Sequence, residues 1–249
     1  MSETSGFLER PDGQRIAWRR VEGAGPTVVW LGGFKSDMAG TKAQALAGWA
    51  LAAGRAYVRF DYFGHGESSG AFVDGTITRW REDALAVLDE LVRGDVVLVG
   101  SSMGGWIAGL VAMAWPERVR AMVLIAPAPD FTEKLMAPEI PPEGLAALKA
   151  DGVWLRPSEY GDPYPISRTL LEDGARWSIL EAQPIPIDCP VRVLQGGEDP
   201  DVPWRHALEY AHGMKSADVV FTLIKDGDHR LSRPQDIARL LAALQEVCA

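Results

Sequence analysis

Apolar positions along the chain alternate between short strand-like runs and longer segments with helical spacing. β-branched and aromatic runs predict buried strands at residues 27–31, 56–62, 96–99, 119–125, 191–194 and 219–224. Helical spacing predicts helices at residues 41–53, 77–92, 103–115, 204–214 and 237–247. Strands that alternate with helices in this way favour an α/β protein with a mostly parallel sheet and helices on both faces.

The N-terminal strands follow a different pattern. Residues 7–10 and 16–21 flank Pro11, Asp12 and Gly13, which favour a tight turn with the glycine at positive φ. We therefore expect an antiparallel β-hairpin in front of the parallel sheet.

Local signals also mark helix ends. Thr41 with Gln44, and Ser232 with Gln235, have the spacing of a capping box at a helix start. Gly54 is expected to end the first helix, because glycine readily adopts the left-handed conformation found there.

The alternation breaks between residues 127 and 188. Prolines and glycines interrupt this stretch, and only residues 144–150 and 167–180 have helical patterns. A structureless loop of this length is improbable inside a compact domain. We therefore predict that residues 127–188 form an inserted cap over a pocket, and that residues 1–126 and 189–249 form the core domain. The alternative is a surface excursion that buries its own aromatic side chains, Trp154, Tyr160, Tyr164 and Trp177.

The composition is that of a globular protein and excludes some partners. The 249 residues are 47% hydrophobic and 24% charged, with a formal net charge of −9. This balance argues against nucleic acid and anionic membrane surfaces, since both need clustered Lys or Arg. No uninterrupted stretch of 18 apolar residues is present, and the first 15 residues lack the apolar region of a signal peptide.

The two cysteines, Cys189 and Cys248, lie far apart and form no CxxC pair. This pattern predicts neither a disulfide framework nor a cysteine metal cluster, and it favours a reducing compartment. We expect a cytoplasmic protein without stable membrane association. The sequence does not predict an oligomeric state.

The chemistry-bearing motif is Gly100-Ser101-Ser102-Met103-Gly104, a G-x-S-x-G pentapeptide between a predicted strand and a predicted helix. A nucleophile elbow needs this context, because small neighbours permit a strained turn that exposes one hydroxyl at the carboxyl edge of the sheet. The N–H groups of the following helix favour a developing oxyanion. Ser102 is the candidate nucleophile. The alternative is a glycine-rich packing turn with Ser102 as an ordinary N-cap.

A serine nucleophile needs a base, and the chain has four histidines. His229 directly follows the last predicted strand, at the sheet edge expected for Ser102, and is the candidate base. His65 is assigned a structural role in its loop. His206 and His212 are expected to have solvated or partly buried surface positions on their helix.

The carboxylate that orients the base should lie between the serine and the histidine in chain order. The run QGGEDPDVPW offers Asp199, Asp201 and Glu198. The spacing D-x-x-V-P favours Asp199, with Asp201 second and Glu198 third. Asp226 and Asp228 lie too close in sequence to the candidate base to be favoured.

An oxyanion hole requires two backbone N–H groups. One is expected from Met103, which follows the candidate nucleophile. The other is expected from Phe34, in the turn after the strand at residues 27–31, where Gly33 allows a close approach.

Tryptophans suggest a pocket for an apolar acyl chain. Trp154 of the predicted cap, together with Trp106 and Trp204, are the candidate substrate-binding residues. Core packing is the alternative role for these side chains.

No cofactor motif is complete. GHGESSG departs by one residue from the G-x-G-x-x-G dinucleotide fingerprint, and neither a Walker A sequence nor HExxH occurs. His206 and Glu209 form a pair of candidate metal ligands that fits a helix surface better. We expect no cofactor and no metal.

These motifs resemble the α/β-hydrolase superfamily over the whole chain. They resemble more closely the subfamily of the mitochondrial palmitoyl-protein thioesterase, also described as a mycophenolic acid acyl-glucuronide esterase, and its bacterial relatives. The resemblance is carried by GTKA (40–43), RFDYFGHGESSG (59–70), WRED (80–83), LVGSSMGGW (98–106), GVWLRPSEY (152–160), PIPIDCPVRVLQGGEDPDVPW (184–204) and GDHRLS (227–232).

The resemblance implies an α/β-hydrolase fold with Ser102 as nucleophile, Asp199 as acidic partner and His229 as base. It also implies hydrolysis of carboxylic thioesters or esters, with S-acylated proteins and acyl glucuronides as substrate types of the family. Because the domain starts within a few residues of Met1, we expect this chain to lack the presequence of the mitochondrial members. The expected partner is a small-molecule or acylated substrate. Two other functions stay open: a triad hydrolase of carbon–carbon or amide bonds, and a non-catalytic ligand receptor.

Overall fold

A computed structural model describes residues 2–157 and 163–248. Its strands are β1 (Glu3–Glu9), β2 (Arg15–Val21), β3 (Ala24–Leu31), β4 (Arg55–Phe60), β5 (Val96–Ser101), β6 (Val119–Ile125), β7 (Val153–Arg156), β8 (Tyr164–Ser167), β9 (Val191–Gly196) and β10 (Val219–Ile224). Its α-helices are α1 (Thr41–Ala53), α2 (Ile77–Leu91), α3 (Met103–Ala114), α4 (Pro142–Asp151), α5 (Arg168–Ala175), α6 (Trp204–Gly213) and α7 (Pro234–Val247). Ser158, Glu159 and Tyr160 of the GVWLRPSEY motif lie outside the described residues.

Eight of these strands form one sheet in the order β1-β2-β4-β3-β5-β6-β9-β10. The β1–β2 and β2–β4 pairs are antiparallel, and every pair from β4 to β10 is parallel. The predicted hairpin and mostly parallel sheet are therefore confirmed. All six residues of β5 are buried, as expected for a parallel strand between two neighbours. The carboxyl ends of the parallel strands share one edge, where the loops that carry Ser102, Asp199 and His229 begin.

Helices cover both faces of the sheet, as the alternating pattern predicts. Leu98 of β5 faces a core that includes the indole rings of Trp80 and Trp106. Val97 and Val99 face the opposite core, to which α1 and α7 contribute. Alternate residues of one strand thus enter two different cores, which explains the continuous apolar run.

Both capping boxes predicted from the sequence are wrong. They require Thr41 and Ser232 as N-cap residues, whereas the N-cap residues are Gly40 and Arg233. Helix α1 is preceded by Gly40, which has no capping side chain, and the Gln44 side chain donates to the carbonyl of Ala39. At the start of α7, the Asp236 carboxylate accepts the N–H of Arg233 at 3.3 Å.

The segment between β6 and β9 contains more regular structure than the sequence predicts. Helices α4 and α5 lie near their predicted positions, but strands β7 and β8 form an unpredicted antiparallel hairpin. Each strand has only four residues, and Pro165 lies within β8, so the sequence pattern of a strand is weak. Residues 127–188 leave the sheet after β6 and rejoin it before β9. Their division from the core as a separate cap stays a prediction.

One buried carboxylate joins the two ends of this segment. Asp130 is 1% exposed, and its oxygens accept hydrogen bonds from Ser178 Oγ at 2.7 Å, Ile179 N at 2.9 Å and Leu180 N at 3.0 Å. Its backbone has a φ of 52°, which aspartate tolerates better than most residues. Asp130 therefore fixes where the segment leaves the sheet relative to where it returns.

Candidate active site

Ser102 lies in a strained turn between β5 and α3. Its φ of 54° and ψ of −119° are unusual for a residue with a side chain. A Cβ on Gly100 would lie 2.4 Å from the Gly104 carbonyl oxygen, and a Cβ on Gly104 would lie 2.0 Å from that of Leu31. Only glycine fits at either position, so the pentapeptide G-x-S-x-G allows this turn.

The structure brings together the three side chains predicted to form the site. His229 Nε2 lies 3.1 Å from Ser102 Oγ, and His229 Nδ1 lies 2.8 Å from Asp199 Oδ2. Asp199 follows β9 and His229 follows β10, so three separate strand ends supply the cluster. With a proton on Nδ1 donated to the carboxylate, Nε2 is free to accept the serine hydroxyl proton.

Besides its contact with His229, the Asp199 carboxylate accepts hydrogen bonds from backbone N–H groups. Its side chain is fully buried, and Oδ1 accepts the N–H groups of Asp201 at 2.9 Å and Val202 at 2.8 Å. The two alternative acids, Asp201 and Glu198, are exposed. Asp201 therefore contributes its backbone to the position of Asp199, and the sequence preference for Asp199 agrees with the geometry.

Gln195 is a site residue that the sequence analysis missed. Its side chain is fully buried in β9, and Nε2 donates to Asp199 Oδ2 at 3.1 Å and to the Val202 carbonyl at 3.0 Å. One sequence signal could have indicated this role. Gln195 is an uncharged polar residue near the end of a predicted buried strand, and the candidate acid follows that strand. Gln195 fixes the same carboxylate oxygen that contacts His229.

The two predicted oxyanion donors come from opposite sides of Ser102. Met103 is the first residue of α3, so its N–H has no carbonyl partner within the helix. A Cβ on Gly33 would lie 3.4 Å from Ser102 Cβ, which brings the turn containing Phe34 next to the serine. The oxyanion role of these amides stays a prediction.

His65 supports that turn. It is 4% exposed, its Nδ1 contacts the Phe63 carbonyl at 3.0 Å, and its Nε2 accepts the N–H of Lys35 at 3.1 Å. Burial lowers the pKa of His65 to about 4, so the ring is neutral near pH 7. These contacts agree with the structural role expected for His65.

The two histidines of α6 differ from each other. His212 is exposed, as predicted. His206 is more deeply buried than predicted, because Nε2 contacts the Pro129 carbonyl at 2.8 Å beneath the start of the segment after β6. Burial lowers the pKa of His206.

A cavity of about 430 Å³ lies above Ser102 and His229. Ten apolar side chains of the described residues line it: Trp30, Phe34, Met103, Ala128, Phe131, Leu135, Met136, Tyr164, Pro200 and Val202. Five of these ten belong to residues 127–188, and together with Phe34 we call them the apolar wall: Ala128, Phe131, Leu135, Met136 and Tyr164. The polar wall includes Lys35, Ser36, Asp37, Thr41, Lys42, Glu139, Arg156, Asp201, Arg230 and Ser232, most of which lie in loops at the sheet edge and at the start of α1.

None of the three tryptophans predicted to bind substrate lines this cavity. Trp106 is fully buried, and its Nε1 donates to the Trp177 carbonyl at 3.2 Å. Trp154 is 8% exposed and packs over Gly144. Trp204 is half-buried on α6, with a guanidinium 4.3 Å from its ring centre. The large rings fill gaps between elements, so the prediction of substrate contact for them is wrong.

Phe34, Phe131 and Tyr164 line the cavity, instead of the three tryptophans predicted to do so. The ring of Phe34 packs edge-on against Phe131, at 5.5 Å between centroids, and against Tyr164, at 6.3 Å. Phe131 in turn packs on Trp106 at 5.7 Å, so Trp106 supports the wall from behind. No sequence spacing distinguishes Phe131 and Tyr164 from other aromatic residues of the segment.

One group of side chains at the cluster contains residue types that can bind a metal ion. Among residues 2–157 and 163–248, Asp199, Asp201 and His229 form a group whose ligand atoms lie within 4.8 Å of one another. However, the imidazole and one carboxylate of this group are already hydrogen-bonded to each other. The expectation that no metal or cofactor is needed stays a prediction.

No described helix has both the length and the apolar character required to cross a bilayer. The longest, α2, has 15 residues and carries several charges.

Comparison with known proteins identifies the family. The model of the alpha/beta hydrolase family matches residues 28–240. The palmitoyl-protein thioesterase ABHD10, mitochondrial, of Bos taurus is 37% identical over 243 residues, which cover 97% of this chain and 79% of the relative. The Homo sapiens protein of the same name is 35% identical, with the same two coverages.

Solved structures agree with this assignment. A putative hydrolase from Agrobacterium vitis S4 is 44% identical, with a TM-score of 0.96 over 100% of both chains. The alpha/beta hydrolase domain-containing protein 10 from mouse is 35% identical, with a TM-score of 0.88 over 98% of both chains. The relatives' names place them in mitochondria, while the cytoplasmic location of this chain stays a prediction. The chain belongs to the α/β-hydrolase family and is a hydrolase.

Proposed function

We propose that the protein is a serine hydrolase that cleaves carboxylic thioesters or esters through an acyl-enzyme. The observation that carries this proposal is the hydrogen-bonded chain from Ser102 Oγ through His229 to the buried Asp199 carboxylate, at 3.1 and 2.8 Å. A strained serine next to the free N–H groups of a helix start, within a cavity, is the arrangement that acyl transfer requires.

In the proposed reaction, His229 Nε2 takes the hydroxyl proton as Ser102 Oγ attacks the acyl carbonyl carbon. The N–H groups of Met103 and Phe34 stabilise the negative charge that forms on the carbonyl oxygen. The imidazolium then returns its proton to the leaving sulfur or oxygen atom, and the bond to the leaving group breaks. The same imidazole then deprotonates a water molecule that attacks the acyl carbon, the bond from this carbon to Ser102 Oγ breaks, and the imidazolium returns its proton to Oγ as the acid leaves. Asp199 keeps the imidazole in the required tautomer.

Two observations support an apolar acyl group. The wall formed by Phe131, Leu135 and Met136 is apolar and adjoins Ser102 in the cavity. The curated relatives at 35–37% identity are named palmitoyl-protein thioesterases, which favours a thioester with a long acyl chain. Small thioesters or esters, S-acylated proteins and acyl glucuronides are the substrate classes to compare.

Fluorophosphonate labelling tests the proposed class. We expect the probe to label the wild-type protein and not Ser102→Ala, because the probe reacts with an activated serine. Absence of labelling in the folded wild type would favour the non-catalytic ligand receptor. Matched amide and carbon–carbon substrates should be cleaved far more slowly than the esters. The opposite ranking would favour the alternative hydrolase.

A chain-length series tests the substrate. p-Nitrophenyl esters and acyl-coenzyme A thioesters, from acetyl to palmitoyl, should show a kcat/KM that rises with chain length until the apolar wall is filled. A strong preference for acetyl groups in both series would contradict an apolar acyl pocket.

A further inference from the structure

An ammonium group lines the polar wall of the cavity without a carboxylate partner. Lys42 is on the first turn of α1, and its Nζ donates to the carbonyl oxygen of Arg230 and lies 3.5 Å from Ser232 Oγ. Both acceptors are neutral. Across residues 2–157 and 163–248, no carboxylate oxygen lies within 4.0 Å of this Nζ. A partly buried positive charge with only neutral hydrogen-bond acceptors is suited to an anion that arrives from the cavity.

Two of the other cations that line the cavity, Arg156 and Lys35, have different surroundings. Arg156 pairs with the Glu139 carboxylate at 3.1 Å. Lys35 Nζ lies 4.8 Å from the centre of the Tyr164 ring and donates to the Pro163 carbonyl at 3.4 Å. Among these three residues, Lys42 alone has neither a carboxylate nor an aromatic face beside its charge.

The chemistry of the site indicates which part of a substrate approaches Lys42. His229 must return its proton to the leaving atom, so the leaving group begins beside His229 Nε2. Arg230 directly follows His229, and its carbonyl is the group that Lys42 holds. The apolar wall, which suits the acyl chain, consists largely of the segment after β6 instead.

We propose that Lys42 is a specificity-determining residue that binds a carboxylate carried by the leaving group of the ester or thioester. This inference rests on the proposed function and adds a charge requirement to it. Asp228 and Asp236 act on Lys42 only at longer range, so the substrate carboxylate would be the first among the described partners of Nζ to contact it with the opposite charge. The resulting charge-assisted hydrogen bond favours anionic over neutral leaving groups.

A matched pair of esters measures this preference. 3-Carboxyphenyl butyrate and 3-carbamoylphenyl butyrate have the same acyl group and leaving groups of nearly equal size. We expect wild-type kcat/KM to favour the anionic ester about tenfold, the effect of one charge-assisted hydrogen bond. Lys42→Met should abolish the preference and Lys42→Arg should retain most of it. Lys35→Met, which removes another cavity ammonium, should leave the ratio of the two esters unchanged.

The outcomes separate this inference from the proposed function. If the ratio of kcat/KM for the carboxyphenyl ester to that for the carbamoylphenyl ester is the same in wild type and in Lys42→Met, the proposed role of Lys42 is overturned. The proposal of a serine hydrolase is unaffected by that result. If neither ester is cleaved and Ser102 is not labelled, the proposed function falls and this inference with it. A Lys42-dependent preference for phenyl hemisuccinate over phenyl butyrate would place the anion on the acyl side, which overturns the proposed leaving-group site.

The wild-type pH profile provides a test that does not depend on how the variants fold. Burial lowers the pKa of Lys42 to about 8, while Asp228 and Asp236 raise it and Arg230 lowers it further. Asp37 lines the same cavity. Lys42 is therefore charged near neutral pH and loses its proton as the pH rises through about 8.

The preference for the carboxyphenyl ester should therefore decline between about pH 7 and about pH 9, following the charge on Lys42. An ionisation that changes the cleavage of both esters by the same factor cancels in the ratio. A ratio that stays constant across this interval would overturn the assignment.

Discussion

Two regions of the molecule build the cavity, and they do so from different kinds of structure. The sheet-edge loops carry Ser102, Asp199 and His229, each at a short distance from the end of a parallel strand. The segment of residues 127–188 carries most of the apolar wall on a short π-helical turn (Thr132–Met136), a hairpin and the residues beside them. The register of the strands positions the three side chains of the proposed triad, whereas the position of the apolar wall depends on how the segment packs over the sheet edge. Rate and acyl-chain selectivity should therefore respond to different substitutions.

Backbone strain also concentrates around the cavity. In the described residues, positive φ values outside glycine occur at Lys35, Ser102, Ala126, Asp130 and Leu231. Each is in a loop or turn that borders the cavity or leads directly to its lining. Strained backbone persists where surrounding packing holds it, and it is common at functional sites. The strain therefore marks the sheet edge, and its junction with the segment after β6, as the parts shaped for function.

The largest expected effect comes from the sheet edge. Asp199→Asn should lower kcat about 10⁴-fold, because the imidazole loses the carboxylate that fixes its tautomer and stabilises its positive charge. Asp201→Asn should change kcat by only about twofold, since that residue holds Asp199 through its backbone N–H. Steady-state kinetics with a short and a long acyl ester would measure both variants. The Asp199→Asn loss should be equal for the two esters, and similar losses in the two variants would refute the assignment of the acid.

The comparison also explains how far the sequence predicted the structure. Ser102, Asp199 and His229 were predictable because glycine sterics and parallel strand ends constrain them strongly. Phe131 and Tyr164 were not, because their place in the wall depends on a segment whose hairpin has short strands with a proline. The tryptophans were misassigned for a related reason: apolar area favours burial in the core as much as contact with substrate. Gln195 lies only four residues before Asp199, but its contact with that carboxylate depends on how the intervening turn folds, and a single polar residue at a strand end does not specify that turn.

The junction between the regions should show the next largest effect. Asp130→Ala removes the acceptor of three hydrogen bonds and leaves the buried N–H groups of Ile179 and Leu180 without it. We expect the free energy of unfolding to fall by about 3 kcal/mol, measured by urea denaturation. Asp130→Asn should lose less, because it keeps one acceptor oxygen and tolerates the positive φ. Asp151→Ala, at an exposed position on α4, is the matched control and should change stability by less than about 0.5 kcal/mol. Equal stabilities of Asp130→Ala and the control would show that the carboxylate does not hold the segment.

The smallest expected effect tests the wall itself. Phe131→Ala removes a ring that packs between Phe34 and Trp106, so the apolar side of the cavity becomes larger. We expect the ratio of kcat/KM for long to short acyl esters to change about tenfold, since a few methylene contacts contribute on this scale. Leu155→Ala, at a position 61% exposed on β7, is the control within the same segment and should leave the ratio unchanged. If Phe131→Ala instead lowers kcat equally for every chain length, the segment contributes to the chemistry and not to selectivity, and the division of labour between the two regions fails.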